Sequence, residues 1–307
     1  MARQVLSGAT VQAPVEPWKL YDHVVVIGTG ALPARCAEHL LDAGVKVDLL
    51  IEPERDRFRS IEHLARRRQL RYFSGAAASI TESLMALGGS CFILSANNNY
   101  VFPRQVCEVN AARILNFHGG LLPGYAGRNT ATWVVFNNVA FHGATWHLVD
   151  AAVDSGPVLA RAEFPVAATA TAGQLMTRAI ELGFDLFRTH WSRLLDPAER
   201  GRSQELPNVT YKSTDLPNGG ELCRTWSFDV TCRFLRAMDY GPIGVVRPPR
   251  IVADGRVFEI ARYRILPGSA SAAESRPLGS RNARSMTLRF PDGTIQLAVR
   301  PAPGRTE

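Results

Sequence analysis

The stretch that decides the fold class is residues 22–52, DHVVVIGTGALPARCAEHLLDAGVKVDLLIE. Its first nine residues combine an unbroken apolar run with two glycines, which predicts a buried strand that ends in a tight turn. Residues 31–44 place apolar side chains near the helical spacing and close on a glycine, and residues 45–52 form a second apolar run. This order predicts two parallel strands joined by a right-handed crossover helix.

The alternation continues downstream. Strands are predicted at residues 70–74, 90–96 and 114–118, and helices at 55–68 and 78–89, with Ser79 or Thr81 as possible caps of the second helix. From residue 143 the pattern favours strands of mixed direction, followed by a long helix at 171–195. We therefore expect an α/β fold with a doubly wound, mainly parallel, Rossmann-like sheet and a smaller C-terminal α+β domain.

Composition and turn signals divide the chain into three parts. We expect a flexible N-terminal arm at residues 1–20, a large domain at 21–205 and a basic C-terminal domain at 206–307, because residues 197–220 are polar and rich in turn formers. The C-terminal part is predicted to hold a helix at 228–238 and two hairpins that turn at Asp254-Gly255 and Asp292-Gly293. Residues 268–284, which are rich in Ser, Ala and Arg, are predicted to be mobile.

Charge and composition limit the function classes. The 307 residues are 46% hydrophobic, which excludes a disordered chain, and residues 201–307 hold 16 Lys and Arg against 10 Asp and Glu. This basic excess suits either an anionic partner or a solvated arginine-rich surface. The five cysteines include no CxxC pair, so we expect neither structural zinc nor disulfides, and no metal cofactor. Without an 18-residue apolar stretch or a signal peptide, a soluble cytoplasmic protein is expected.

Gly28-Thr29-Gly30 follows the first strand and precedes the first helix, as a dinucleotide-binding turn does. The third glycine of that pattern is replaced by Pro33, although an acid, Glu52, follows at a suitable distance. A tight turn that serves only the fold explains the glycines equally well.

Asn116 and His118 end a predicted strand, where residues two apart face the same side of the sheet. Asp154 follows a later strand, which could return it to the same crevice. An imidazole can relay a proton, a carboxylate can orient it, and an amide can donate to an oxyanion, so the three suit acyl transfer. A histidine satisfied by a structural aspartate is the alternative.

At this point the residues resemble a known family, the formyltransferases that use 10-formyltetrahydrofolate. The resemblance rests on Asn116-x-His118, Leu121-Leu122-Pro123, Gly127, Trp133, Gly143-Ala-Thr-x-His147 and Val153-Asp154-Ser155-Gly156. It implies that Asn116 and protonated His118 stabilise the oxyanion of the transferred formyl group, and that Asp154 holds His118 and assists proton transfer. The turn at Gly28 is not a nucleotide site in this family.

The resemblance also implies where the formyl donor binds. In the family, the pterin lies between the loop after the fourth long strand and the loop that carries the aspartate. The corresponding donor-binding residues here are Ser95, Ala96, Asn97, Tyr100, Val101 and Phe102 in the first loop, and Val149, Asp150 and Val153 in the second. The run Asn97–Asn99 departs from the mostly apolar family loop and suits an ordinary turn as well.

The loop after Pro123 is the candidate acceptor-binding loop. Tyr125, Arg128 and Asn129 are the candidate substrate-binding residues, and this loop is closest to formyltransferases of nonribosomal-peptide and polyketide pathways. The arginine-rich loop typical of methionyl-tRNA formyltransferases is absent, which disfavours nucleic acid. Helix capping is the alternative role for Arg128 and Asn129.

We therefore expect an N-formyltransferase of specialised metabolism that modifies an amine of a small metabolite or of a carrier-tethered amino acid. The resemblance implies that the C-terminal domain serves acceptor recognition or assembly, and a homodimer is possible. The alternatives are a sugar-nucleotide N-formyltransferase, a formyltetrahydrofolate hydrolase, a non-catalytic binding module of the same fold and, from the basic last third alone, an RNA-binding protein.

Overall fold

The computed structural model describes residues 16–53, 59–108, 112–206, 209–268 and 284–302. Its strands are β1 (His23–Gly28), β2 (Leu49–Glu52), β3 (Tyr72–Ser74), β4 (Cys91–Ala96), β5 (Arg113–His118), β6 (Ala126–Gly127), β7 (Phe141–Leu148), β8 (Val158–Pro165), β9 (Thr210–Tyr211), β10 (Arg250–Ala253), β11 (Arg256–Pro267), β12 (Arg284–Phe290) and β13 (Gly293–Pro301). Its helices are α1 (Ala31–Asp42), α2 (Ser60–Arg68), α3 (Ala77–Met85), α4 (Arg104–Glu108), α5 (Thr130–Phe136), α6 (Ala172–Leu195) and α7 (Phe228–Ala237).

A seven-stranded sheet has the order β3-β2-β1-β4-β5-β7-β8. β1 pairs in parallel with both β2 and β4, and β2 pairs in parallel with β3, whereas β7 and β8 run antiparallel. The predicted mainly parallel sheet with a later change of direction is confirmed. Strands β2 and β4 are buried along their whole length, as expected of strands that helices cover on both faces.

The chain separates into two compact units. Residues 1–115 and 187–200 form the first unit, and residues 116–186 and 201–307 form the second. In the first, α1 buries Leu32, Cys36 and Leu40, which recur at helical spacing. The end of α6 belongs to this unit, where Trp191 packs on Trp18 at a centroid distance of 5.0 Å.

The second unit ends in a four-stranded antiparallel sheet of order β10-β11-β13-β12. Helix α7 buries Phe234 and Leu235 in one apolar cluster with Ile295 and Leu297 of β13. Both predicted hairpins are present: the first turns at Asp254-Gly255 as predicted, whereas the second turns one residue earlier than predicted, at Pro291-Asp292, because Gly293 already pairs with Phe290. This is the smaller α+β part that the sequence predicts.

Some local predictions differ from the structure. Ser79 and Thr81 lie inside α3, which begins at Ala77, and both bond within the helix instead of capping it: the Thr81 hydroxyl donates to the Ala77 carbonyl, and the Ser79 carbonyl accepts from Ser83. Residues 1–15 of the predicted arm and residues 269–283 of the predicted mobile segment lie outside the described residues.

Contacts within the fold explain the turn after β1. The Thr29 hydroxyl donates to the carbonyl of Asn97 at 2.8 Å. Glu52 is fully buried, and its carboxylate accepts a hydrogen bond from the Tyr72 hydroxyl at 2.6 Å. These contacts favour the structural interpretation of the glycine turn over dinucleotide binding. Within the described ranges, no helix combines the length and apolar character needed to cross a bilayer.

Candidate active site

The end of β5 carries the first two candidate catalytic residues. Asn116 and His118 share one side of the strand, and Phe117 projects from the other. Phe117 packs on Trp146 with ring centroids 5.4 Å apart, and it lies so close to Gly183 of α6 that a Cβ on this glycine would be 2.2 Å from the ring. A mid-helix glycine is therefore required for α6 to pack here, and this packing fixes the end of the strand.

His118 is held at both ring nitrogens. Its Nδ1 lies 3.2 Å from Oδ2 of Asp154, and its Nε2 lies 2.5 Å from the carbonyl oxygen of Tyr125. The side chains of His118 and Asp154 are 6% and 11% exposed, so water screens the pair weakly. A carboxylate and a carbonyl only accept hydrogen bonds, so both contacts are satisfied together only when each nitrogen carries a proton. The geometry therefore favours the imidazolium form of His118.

Asp154 has polar neighbours at both carboxylate oxygens. The Gly127 backbone N–H donates to Oδ2 at 2.8 Å, and His147 Nε2 lies 3.4 Å from Oδ1. Burial raises the pKa of this carboxyl, but the neighbouring charges and hydrogen bonds of His118 and His147 outweigh it and hold the pKa well below its usual range. Asp154 is therefore ionised at neutral pH.

His147 is part of the motif that carries the resemblance, but it is not among the site residues predicted from the sequence. It is 2% exposed, and its Nε2 lies 3.1 Å from Nδ2 of Asn116 as well as close to Asp154. Its Nδ1 donates to the Leu148 carbonyl at 2.8 Å, which fixes the ring. The structure thus brings Asn116, His118 and Asp154 into one cluster, with His147 as the link to Asn116. The available signal was its position at the end of β7, the neighbour of β5 in the sheet order.

His142 lies on the same strand as His147 but has a different environment. It is 1% exposed and packs edge-on against Phe164 with ring centroids 5.6 Å apart. Burial, followed by the charge of His118, lowers its pKa to about 4. His142 is therefore a neutral core residue at physiological pH.

The first predicted donor-binding loop belongs to the other unit. Its backbone is shaped by Asn98, whose amide donates to Ser95 Oγ and to the Tyr100 carbonyl and accepts from the Tyr100 N–H. Ser95 and Ala96 are fully buried, and Asn97 has a φ of +48°. Asn98 thus stabilises a turn within the asparagine run, and a ligand bound to this loop would contact mainly backbone groups.

The side chains at the end of this loop differ in exposure. Tyr100 is 7% exposed, and its hydroxyl bonds to Thr81 at 2.8 Å, so its ring is part of the local packing against Phe102. Val101 is 77% exposed. Only Val101 and the partly buried Phe102 therefore offer apolar side-chain surface to a ligand.

The second predicted donor-binding loop precedes Asp154. Asp150 is exposed, and its Oδ1 accepts from the Ser155 hydroxyl and from the Ala152 N–H. Val149 is half-buried, and Val153 is 55% exposed directly beside the catalytic candidate. Asp150 therefore closes a local turn, and Val153 presents the apolar surface of this loop.

The predicted acceptor-binding residues occupy the loop between β5 and α5. The Tyr125 ring lies parallel to the Tyr211 ring with centroids 6.2 Å apart, and Arg128 is exposed. Asn129 precedes α5 with a φ of +57°, but its side chain donates to the Ser213 carbonyl at 3.0 Å and makes no cap hydrogen bond. The capping role weighed for Asn129 is therefore not performed by its side chain.

The cluster is equipped for proton transfer and for stabilising negative charge. It joins one carboxylate, two imidazoles and an amide in a chain of contacts that runs from His118 to Asp154, from Asp154 to His147 and from His147 to Asn116. In the described part of the chain, no group of three or more His, Cys, Asp or Glu side chains is arranged to hold a metal ion.

Comparison with known proteins places these residues in context. The family described as "Formyl transferase" matches residues 56–189. A GDP-perosamine N-formyltransferase of Brucella melitensis biotype 1 is 30% identical over 246 residues, which cover 77% of this chain and 91% of that protein. A methionyl-tRNA formyltransferase of Dechloromonas aromatica is 27% identical over 199 residues, covering 61% of this chain and 64% of the relative.

Among solved structures, an N-formyltransferase from Helicobacter canadensis, in complex with folinic acid and dTDP-3-aminofucose, superposes with a TM-score of 0.65. It is 16% identical, and the match covers 90% of this chain and 98% of the other. At this identity the likeness establishes the fold.

Proposed function

Because the chain belongs to the formyltransferase family and is an enzyme that transfers formyl groups, we propose that it formylates the amino group of a nucleotide-linked aminosugar. The observation that carries the proposal is the buried cluster of His118, Asp154, His147 and Asn116, in a chain that matches nearly the full length of a GDP-perosamine N-formyltransferase. The carrier-tethered amino acid that the sequence favours has no counterpart among the relatives named above, so the sugar nucleotide takes its place.

We take 10-formyltetrahydrofolate to be the formyl donor and the cytoplasm to be the place of reaction. The donor supplies an electrophilic formyl carbon that the acceptor amine attacks. Val101 in the first predicted donor loop is a large apolar side chain left 77% exposed, and exposed apolar surface of this kind suits a flat ring system. The backbone groups of the Asn98 turn suit its polar edges.

His118 and Asn116 are assigned to the formyl oxygen. The His118 imidazolium offers a charged N–H donor once Nε2 turns or shares its proton away from the Tyr125 carbonyl, and the Asn116 amide offers a neutral one. Donors placed in advance around a developing oxyanion contribute more to the rate when water is excluded, and removing one typically costs about 3–4 kcal/mol in the barrier.

Asp154 is assigned to the proton of the attacking amine. As an ionised carboxylate with low exposure, it keeps His118 charged while the oxyanion forms, and it can accept the amine proton for delivery to the leaving nitrogen. The backbone N–H of Gly127 fixes Oδ2, the oxygen that also faces His118 Nδ1, so the movable proton is shared between Oδ2 and this imidazole.

Acceptor binding is assigned to the loop between β5 and α5. The exposed Arg128 guanidinium is suited to the diphosphate of a sugar nucleotide, since arginine binds phosphate in a bidentate manner. Tyr125 offers a partly exposed ring for the sugar or the base. Asn129 contributes to this site mainly by fixing the loop through Ser213.

The test is an acceptor panel with the purified full-length chain and 10-formyltetrahydrofolate, in which release of tetrahydrofolate is followed. GDP-perosamine, dTDP-3-aminofucose, an aminoacyl carrier protein and a reaction without amine form the panel. Rapid turnover with a sugar nucleotide and loss of turnover in His118→Ala support the proposal. Equal turnover without amine indicates a hydrolase, and turnover with the aminoacyl carrier alone refutes the sugar acceptor.

A further inference from the structure

We propose that the segment after α6, residues 201–206 and 209–213, is a bracing segment that positions the catalytic pair, with Gln204 and Tyr211 as its positioning residues. The inference rests on the proposed function, since it concerns the same His118–Asp154 pair. The bracing segment lies beyond residues 56–189, where the family match ends. It also lies in the polar, turn-rich stretch at residues 197–220, where the sequence predicts a domain boundary.

Gln204 holds the backbone around Asp154. Its Nε2 donates to the Asp154 carbonyl at 2.9 Å and to the Gly156 carbonyl at 2.7 Å. Asp154 has a φ of +54°, the left-handed region that L-residues adopt at a cost in energy. Two hydrogen bonds to the carbonyls of this turn thus support the conformation that aims the carboxylate at His118.

The register of the bracing segment is fixed next to Gln204. Arg202 and Val158 exchange both backbone hydrogen bonds, each 2.8 Å long, as residues of an antiparallel pair do. Gln204 is two residues away, so its amide cannot shift along the Asp154 turn without breaking this pair. The backbone pairing next to Gln204 therefore fixes where its side chain makes these contacts.

Tyr211 holds the other loop that contacts His118. Strands β6 and β9 pair in parallel, and the Tyr211 carbonyl accepts the Arg128 N–H at 2.8 Å. Gly127, with a φ of +88°, lies so close that a Cβ there would be 2.1 Å from the Tyr211 carbonyl oxygen. The Tyr211 ring lies parallel to the rings of Trp133 and Tyr125, with centroids 4.6 and 6.2 Å away.

These contacts converge on one imidazole. The two acceptors of His118 are Asp154 Oδ2 and the Tyr125 carbonyl, and each lies on a loop that the bracing segment holds. The loops are also joined directly, because the Gly127 N–H donates to Asp154 Oδ2. Displacing either loop would change the direction of a hydrogen bond to His118. A misplacement of about 1 Å at such a site can cost about 100-fold in rate.

The experiment compares variants at the two positions. Gln204→Met removes both donors at similar volume, and Gln204→Glu sets a carboxylate against two carbonyl oxygens. Tyr211→Leu removes the ring, and Tyr211→Phe keeps it. Glu205→Gln and Thr210→Ala alter exposed neighbours in the same segment and serve as matched controls.

We expect kcat to fall about 10- to 100-fold in Gln204→Met and Tyr211→Leu and further in Gln204→Glu, with the KM for the formyl donor changed less than about threefold. Tyr211→Phe and both controls should retain wild-type kcat within about twofold. An unchanged kcat in Gln204→Met and Tyr211→Leu refutes the inference. A loss that only follows the unfolded fraction, measured by thermal unfolding, refutes it equally.

A second readout does not depend on the acceptor. The NMR signals of the His118 ring protons at one fixed pH, assigned by comparison with His118→Gln, should move in Gln204→Met and Tyr211→Leu and stay in place in the two controls. If the wild-type enzyme formylates no sugar nucleotide, the proposed function fails while these signals still decide the inference. Unmoved signals in all variants refute the positioning role.

Discussion

His147→Leu is the sharpest test of how the active-site cluster is held together. The substitution removes an imidazole that lies 3.1 Å from the Asn116 amide and 3.4 Å from the Asp154 carboxylate, and it replaces it with a side chain that fills similar space. A hydrogen bond to a charged group contributes about 1.5–3 kcal/mol. If that contribution is expressed in the transition state, kcat falls about 10- to 100-fold.

The pH dependence gives the same test a second readout. His147 is among the groups that lower the pKa of Asp154, so its removal should raise that pKa. The acid limb of the kcat/KM profile should then move to higher pH, since the carboxylate must be ionised to act. His147→Gln, which keeps a polar group near the Nε2 position, should restore part of both effects.

The matched control is His142→Leu, which removes the other buried imidazole of β7. Its ring packs on Phe164, so kcat and the pH profile of the folded enzyme should stay within about twofold of wild type. Initial rates with both substrates, together with thermal unfolding of each variant, complete the comparison. Wild-type kcat in His147→Leu, or an equal loss in His142→Leu, refutes the link through His147.

Three further outcomes are expected. Asp154→Asn should lower kcat at least about 100-fold. It should also abolish the stability that the carboxylate provides above about pH 4, because the pKa of this carboxyl is depressed beside His118; unfolding measured down to acid pH would show the loss. His142, with a pKa of about 4 against about 6.5 unfolded, should cost the wild type up to about 3 kcal/mol between pH 6.5 and 4, and urea unfolding of His142→Leu should show this loss removed. Gly183→Ala should destabilise the fold by about 1–3 kcal/mol in calorimetry, because its Cβ would overlap Phe117. An unchanged pH dependence of stability in His142→Leu, or an unchanged stability in Gly183→Ala, would contradict the packing described.

The sequence predicts the sheet because its strands are continuous apolar runs with glycine boundaries. Periodicity is local information, and β1 and α1 form where the pattern places them. The caps of α3 were wrong because the helix begins earlier than its first hydroxyl residue, at a position with no capping side chain. Helix ends depend on tertiary context that the pattern does not contain.

The candidate site was likewise predicted from the sequence only in part. Asn116, His118 and Asp154 were predicted as candidates because their residue types at strand ends suit one chemistry, and the resemblance implies their order. His147 was passed over since a histidine in an alternating strand is indistinguishable from a core residue such as His142. Gln204 gave no signal at all, because its contacts reach 50 residues back along the chain from a polar, turn-rich stretch.

The contacts of the cluster bear on why it is built from charged groups. A buried ion pair is often no more stabilising than apolar side chains of the same volume, so the pair of His118 and Asp154 is weakly explained by stability. Two backbone groups surround the pair, the Gly127 N–H of a paired strand and the Tyr125 carbonyl next to that strand, and these have no apolar equivalent. Oriented dipoles that hold charge in place lower the reorganisation needed during acyl transfer. The arrangement therefore supports the proposed catalytic role, and substitution of a residue that holds this backbone, such as Gln204, should reduce kcat more than it reduces stability.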